Sequence, residues 1–353
     1  MRTITVALGE KTYNIEIAAG LLDQIGAKAR VLSQAVKAAI ISDSNVDPLY
    51  GERLERSLAA SGFEVTRIVF AAGEQSKNLT VLGQVYDELA RAGLTRSDLI
   101  LTLGGGVPGD LGGFAAATFL RGIDFIQVPT SLLAQIDSSV GGKVAIDLPS
   151  GKNLAGSFYQ PKAVFIDPDL LKTLPLRFLH DGLAEAIKYG CIRDAGLFAQ
   201  IAAVKSDQEL LEQADIIIET CCNIKARIVE KDEFDTGERM LLNFGHTIGH
   251  AIEKCCGFTT YTHGEGVGIG MVQMTRQTEK LGLTAAGTAE ELSRVLKKFA
   301  LPVTAVFDAQ EILQAMALDK KKSGKKINLV IIEKIGVGRL YKIDWQDIPA
   351  YIG

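Results

Sequence analysis

Between residues 37 and 131 short apolar runs alternate with amphipathic segments, and this alternation constrains the fold more than any other feature of the chain. KAAIISDSN (37–45), EVTRIVFAAG (64–73), DLILTLGGG (98–106) and DFIQVPTS (124–131) read as strands. VDPLYGERLERSLAASG (46–62) and SKNLTVLGQVYDELARAG (76–93) have helical spacing and stop at Gly62 and Gly93. Such alternation predicts a mostly parallel sheet with helices on both faces. The first twenty residues also alternate like a strand. From Arg177 to about Ala317 the apolar spacing becomes mainly helical. Ser206 and Glu209 form a capping-box signature ahead of a long helix through IIIETCCNIKARIVEKD, and Thr288 in TAEEL offers a similar start. KINLVIIEKIG and GRLYKID return to strand character. The expected layout is therefore α/β: a Rossmann-like N-terminal domain over 1–176 and a mainly α-helical C-terminal domain over 177–353. A cleft between two such domains is the default place for a small molecule.

The 353 residues suffice for two ordinary domains. A formal net charge of −4 gives no hint of a nucleic-acid partner. No apolar run reaches the roughly 18 residues of a membrane span, and the N-terminus lacks the apolar block of a signal peptide. The five cysteines include two adjacent pairs but no CxxC, which points to free thiols in a reducing compartment. A soluble, cytoplasmic protein is expected.

LTLGGGVPGDLGGFAAA places Gly104, Gly106 and Gly109 in G-x-G-x-x-G spacing, after a strand and into a helix. Glycines there let a backbone approach a pyrophosphate, which the helix N-terminus attracts. The same glycines also suit a purely structural tight turn. The motif follows about the fourth strand rather than the first. The acid for a ribose hydroxyl then comes from an earlier strand end, and Asp43 is so placed. AAGEQSK adds Glu74 and Lys77 from another strand-end loop, and PTS adds Thr130 and Ser131. Pro108 supplies no amide to a phosphate.

LLNFGHTIGH puts His246 and His250 one helical turn apart on one face. The spacing is that of H-E-x-x-H, but Thr247 stands where a metalloprotease needs its glutamate. His263 follows in YTHGEG, and GLAEAIKYG places Glu185 and Lys188 on one helix face. Two histidines and a carboxylate suit zinc or a similar divalent ion with one position open. Each imidazole, taken singly, is more often a hydrogen-bonded core residue than a ligand, and His180 reads as only that or as a surface group. Cations gather nearby: Lys143 in SSVGGKVAI, Lys152 beside Asn153, Lys225, Arg239 with Asn243, and Lys320 in LDKKKSGKK. An anionic substrate would explain several such donors, although most lysine runs are solvated.

Taken in order, GGGVPGDLGGFAAATFLRGIDF, QVPTSLLAQIDSSVGGKVAID, GKNLAGSFYQP, GLAEAIKYG, RMLLNFGHTIGHAIE and HGEGVGIGM resemble the 3-dehydroquinate synthase family of sugar-phosphate cyclases over almost the whole chain. The resemblance implies NAD and a divalent metal, zinc or cobalt, as cofactors. It implies 3-deoxy-D-arabino-heptulosonate 7-phosphate as substrate. The implied sequence is oxidation at C5, phosphate elimination with the departing phosphate as its own base, re-reduction, ring opening and aldol closure, with no net redox. Glu185, His246 and His263 match the metal ligands, and His250 an unliganded imidazole for proton transfer.

Lys225 and Arg239 resemble carboxylate binders. Lys143, Asn153, Asn243 and Lys320 resemble phosphate and substrate contacts, Lys320 being taken rather than Lys321 in a lysine run that blurs the alignment. Lys188 and Asp137 match active-site positions, and Arg121 a residue reaching across a homodimer interface. The nucleotide site expected as a whole adds Asn45, Gly105, Asp110, Lys143, Lys152 and Thr173. A related cyclase on an uncarboxylated sugar phosphate, such as a 2-deoxy-scyllo-inosose or valiolone synthase, would not need Lys225 and Arg239 together. A metal-dependent polyol dehydrogenase would need no anion cage, and a non-catalytic binding protein should have lost a metal ligand.

Overall fold

The computed structural model describes residues 1–255, 260–305, 310–313 and 326–352. They form two compact units, Met1–Leu174 with Ala214–Glu230 and Pro175–Gln213 with Lys231–Gly353. The first is built on a seven-stranded sheet from β1 (Arg2–Val6), β2 (Tyr13–Ile17), β3 (Lys37–Asp43), β4 (Glu64–Phe70), β5 (Leu99–Gly104), β6 (Asp124–Pro129) and β9 (Ala163–Ile166). Their order is β1-β2-β9-β6-β5-β3-β4. All neighbours are parallel except β1 and β2, because the N-terminal stretch read as one strand folds back on itself with Arg2 opposite Ile17. A hairpin of β7 (Lys143–Leu148) and β8 (Gly151–Phe158) interrupts the alternation.

The period of two along β3 explains the layering. Ala38 and Ile40 pack with Ile25 and Ala29 of α1 (Ile25–Leu32) and with Leu54 and Leu58 of α2 (Glu52–Ala60). Ala39 and Ile41 face the other way, onto Val85 and Leu89 of α3 (Leu79–Arg91) and Leu111 and Ala115 of α4 (Gly106–Thr118). Asn78 starts α3, its side-chain oxygen accepting the Val81 amide at 3.0 Å. The chain crosses from β4 over β3 to β5, so the order reverses between β3 and β5, the point where open α/β sheets bind ligands. The glycine motif ends β5 there, which accounts for its late place in the chain.

The second unit is mainly helical: α5 (Leu176–Ile192), α6 (Ala195–Ala203), α7 (Asp207–Glu212), α9 (His246–Cys255), α10 (His263–Lys280) and α11 (Thr288–Lys298), with a hairpin of β10 (Lys326–Lys334) and β11 (Val337–Asp344). Ser206 caps α7, accepting the Glu209 amide at 3.2 Å, but Glu209 reaches back to the Lys205 amide rather than to that of Ser206. The long helix expected behind this cap is broken at Gln213, and α8 (Ala214–Lys231) starts afresh. Residues 214–230 group with the first unit, unlike a single boundary at 176. Their side chains explain it: Cys222 Sγ contacts the Gln135 carbonyl at 3.2 Å, and Arg2 pairs with Asp215 and Glu219. Among the described residues no helix is long and apolar enough to cross a membrane.

Candidate active site

In the second unit, α5 carries Glu185 and Lys188, α9 carries His246, His250 and Glu253, and α10 begins at His263. Glycines four apart, Gly245 just before α9 with Gly249 on it and Gly266 with Gly270 on α10, let the two helices touch. A Cβ on Gly249 would sit 2.9 Å from the Gly266 carbonyl, and one on Gly270 would sit 2.0 Å from the Gly245 oxygen. The rings of His246 and His263 consequently lie 5.2 Å apart, and His250 lies 5.2 and 5.7 Å from them. The start of α10 is fixed to α5: the Gly264 amide donates to Asp181 Oδ1 at 2.6 Å, and Arg177 pairs with Glu265 at 2.8 Å.

Glu185 Oε1 is 3.5 Å from His246 Nε2 and 3.6 Å from His263 Nε2. Ligand atoms 2.0–2.1 Å from one tetrahedral ion stand about 3.4 Å apart, so these three fit a shared divalent cation. Ligand atoms of all three histidines lie within 4.8 Å of one another. Glu185 is fully buried, and neither of its oxygens accepts a directed hydrogen bond, although Lys188 Nζ pairs with Oε2. The Lys188 ammonium compensates this buried charge at Oε2, which leaves Oε1 turned to the two imidazoles. The tautomers agree. His246 Nδ1 meets the Phe244 carbonyl at 3.1 Å and His263 Nδ1 meets Glu253 at 3.0 Å. Both partners accept, so both Nδ1 atoms carry hydrogen and both Nε2 atoms turn to Glu185.

Electrostatics sharpens the contrast between the two imidazoles. Burial, with the Lys188 charge, holds His246 well below its usual pKa, so it stays neutral. Burial also opposes a charge on His263, but the Glu185 and Glu253 carboxylates outweigh it and push its pKa up to about 10. A proton on His263 thus occupies the place a divalent ion would take.

The first unit holds a second polar constellation, at the start of α4. A Cβ on Gly105 or Gly106 would come no closer than 3.4 Å to Ser131 or Ser138, an ordinary contact. Packing does not demand glycine there, so the pair leaves a cradle that a phosphate would fill. The amides of Gly106 and Val107, in the first turn, have no intrahelical acceptor, and Pro108 offers none. Gly109 is different: its Cβ would stand 2.9 Å from Gln127 Oε1, so a larger residue would have to displace that buried amide. Beside the cradle, Lys77 Nζ is buried and donates to Asp110 at 2.5 Å and Asn153 at 2.6 Å. Burial opposes the Lys77 charge, but Asp110 and Glu74 raise its pKa, while burial raises that of Asp110. Lys152 stands 3.9 Å from Glu74.

Asp43 Oδ1 accepts the Asn45 and Val46 amides at 2.8 and 3.0 Å, shaping the turn after β3. Thr130 donates its amide to the Gly104 carbonyl at 2.9 Å. Ser131 Oγ accepts the Ala134 amide at 3.3 Å. Thr173 pairs with Tyr50 OH at 2.5 Å.

The cations are held in different ways. Lys225 Nζ donates to the Asp137 carbonyl at 2.6 Å and pairs with its carboxylate. Buried Arg239 donates to the Glu233 carbonyl at 2.6 Å. Lys143, Asn153 and Asn243 are exposed. Arg121 is exposed in a turn where Leu120, Arg121 and Gly122 all have positive φ (51°, 68° and 121°). Lys320 lies outside the described residues. His180 pairs with Asp207 at 2.7 Å and meets the Phe299 ring edge-on, consistent with a packing role.

Residue spacing did not reveal Glu253, Asp181 or Asp232, which act through the groups above. The one available signal was that Glu253 follows His246 by two helical turns. Asp232 accepts the amides of Thr236, Gly237 and Arg239 at 3.0, 2.7 and 3.0 Å. Burial opposes its charge, but these amides lower its pKa. A depressed folded pKa stabilises above the unfolded value, near pH 4, and that stability is lost as pH falls through the folded one. Asp232→Asn is therefore expected to cost about 1–2 kcal/mol at neutral pH. Urea melts should show the gap to wild type closing below about pH 4. A gap independent of pH would refute the charge argument.

Residues 67–181 match the family model described as 3-dehydroquinate synthase N-terminal, and residues 182–322 the one described as 3-dehydroquinate synthase C-terminal. The chain is 51% identical over 353 residues to a 3-dehydroquinate synthase of Clostridium acetobutylicum, covering 100% of this chain and 99% of that one. It is 47% identical over 350 residues to the corresponding protein of Enterococcus faecalis, covering 99% and 98%. A solved 2-epi-5-epi-valiolone synthase from Streptomyces hygroscopicus, with NAD+ and Zn2+ bound, superimposes with a TM-score of 0.87 at 26% identity, over 98% of this chain and 97% of that one. A 2-deoxy-scyllo-inosose synthase shares the fold with a TM-score of 0.87 at 24% identity, over 99% of each chain. Matched from residue 67 to residue 322 by the two models, and along its whole length by curated relatives, this chain belongs to the 3-dehydroquinate synthase family.

Proposed function

We propose that this chain converts 3-deoxy-D-arabino-heptulosonate 7-phosphate to 3-dehydroquinate and phosphate, as a cytoplasmic homodimer using NAD and a divalent metal, zinc or cobalt. The observation that carries this reading is the 51% identity over the full chain to a curated 3-dehydroquinate synthase. The valiolone synthase with NAD+ and Zn2+ bound supports both cofactors.

Glu185, His246 and His263 would hold the ion, and a divalent ion so held polarises substrate hydroxyl and ketone oxygens. Lys188 balances the buried Glu185 charge, and His250, exposed on the same helix face as His246, serves proton transfer. The α4 cradle, with Asp43, Asn45, Glu74, Lys77, Gly105, Gly106, Gly109, Asp110, Thr130, Ser131, Lys143, Lys152 and Thr173, would bind NAD, a cofactor that would supply reversible hydride transfer. Lys225 and Arg239 are the carboxylate partners, with Asp137 orienting Lys225. Lys143, Asn153, Asn243 and Lys320 serve phosphate and neighbouring hydroxyls, and Arg121 serves the adjoining protomer's site.

Orientation of the phosphate-bearing carbon is then most of what elimination needs. Lys225→Ala should raise KM for the heptulosonate phosphate about 10- to 100-fold, the worth of a charged hydrogen bond. An unchanged KM in steady-state kinetics would remove Lys225 from the carboxylate site.

The deciding experiment follows phosphate release and NADH absorbance together, with 3-deoxy-D-arabino-heptulosonate 7-phosphate, catalytic NAD and zinc or cobalt. Phosphate and dehydroquinate without NADH accumulation is the expected result. NADH build-up without phosphate would indicate a polyol dehydrogenase. Turnover of glucose 6-phosphate or sedoheptulose 7-phosphate instead would indicate a different cyclase.

A further inference from the structure

We propose that Glu253 is a positioning residue for the metal centre, holding His263 in one tautomer and one ring orientation; this inference rests on the metal reading above. Glu253 stands two turns beyond His246, on the same face of α9. One helix therefore supplies both a ligand and the group that orients another ligand. Glu253 is 3% exposed, and its Oε1 lies 3.0 Å from His263 Nδ1. Burying a carboxylate this deeply is costly unless it has a partner of opposite or donating character.

The packing makes this contact specific. Glu253 lies against Gly266, where a Cβ would stand 3.3 Å from its Cγ and 3.4 Å from its Oε1. The close approach of α9 and α10 thus presses the carboxylate onto the first residue of α10. His246 is held differently, by a neutral main-chain carbonyl at 3.1 Å. An anionic acceptor on Nδ1 does more than a carbonyl: it raises the electron density that Nε2 offers to a cation. It also adds a buried negative charge beyond that of Glu185, which Lys188 already balances. His263 is thereby the stronger of the two imidazole donors.

The test is equilibrium metal binding, measured by chelator competition with Zn2+ and by titration with Co2+, on wild type, Glu253→Gln, Glu253→Ala and His246→Ala. Glu253→Gln keeps the shape and an acceptor but loses the charge, which controls for packing. Affinity is expected to fall about tenfold in Glu253→Gln and up to a hundredfold in Glu253→Ala. The visible bands of the Co2+-saturated Glu253→Gln protein should shift, a change that a purely structural role would not produce. Unchanged affinity and spectrum in both Glu253 variants, with His246→Ala impaired, would overturn the role of Glu253 and leave the metal reading standing. A wild type that binds neither ion stoichiometrically would overturn both.

Discussion

Glu185→Gln protein is expected to retain no stoichiometric divalent ion and to turn over about 10^3-fold more slowly, since a bound cation supplies several kcal/mol of charge stabilisation. The substitution replaces the carboxylate whose Oε1 stands 3.5 and 3.6 Å from the two facing imidazoles with a neutral amide, which is a far weaker ligand for a divalent ion. It also strands Lys188, which is 1% exposed, without its carboxylate. Breaking a buried pair in this way costs about 3–5 kcal/mol. The metal-free variant should therefore unfold at lower urea than metal-free wild type. Elemental analysis, phosphate release and urea melts together check the result. Full metal content and activity in Glu185→Gln would end its assignment as a ligand.

The second large effect concerns no chemical group at all. Gly270→Ala should destabilise the chain by about 3 kcal/mol and weaken metal binding with it. The added Cβ would lie 2.0 Å from the Gly245 oxygen and 2.9 Å from the Gly249 nitrogen, both main-chain atoms that no rotamer change can relieve. Relief requires α9 and α10 to move apart, which carries His246 away from His263. Gly83→Ala is the matched control. Gly83 lies within α3 with nothing within 4 Å of its Cβ position, and alanine there should stabilise by up to about 1 kcal/mol. Equal melting temperatures for the two variants would refute the packing account.

Much of this architecture is readable from residue order, because its causes are local. The parallel sheet with helices on both faces follows from alternating runs, and β3 shows why: neighbouring residues on a strand must face opposite layers. Gly104 to Gly109, His246, His250 and His263 were nominated by spacing alone. The break at Gln213, the hairpin Lys143–Phe158 and the return of residues 214–230 to the first unit were not, since contacts distant in sequence decide them. Cys222 meets Gln135 and Lys225 meets Asp137 across nearly ninety intervening positions, which no local period encodes.

The same division runs through the candidate metal site. Sequence by itself determined which groups could bind a cation: two imidazoles one turn apart, a third opening another helix, and a carboxylate with a lysine three residues on. Only the tertiary structure decided which atoms converge. Glu185 comes from α5, His246 and Glu253 from α9 and His263 from α10, and their separations depend on how closely glycine lets α9 and α10 approach. A ligand's identity is a property of one residue, whereas its distance from the next is set by the packing of helices.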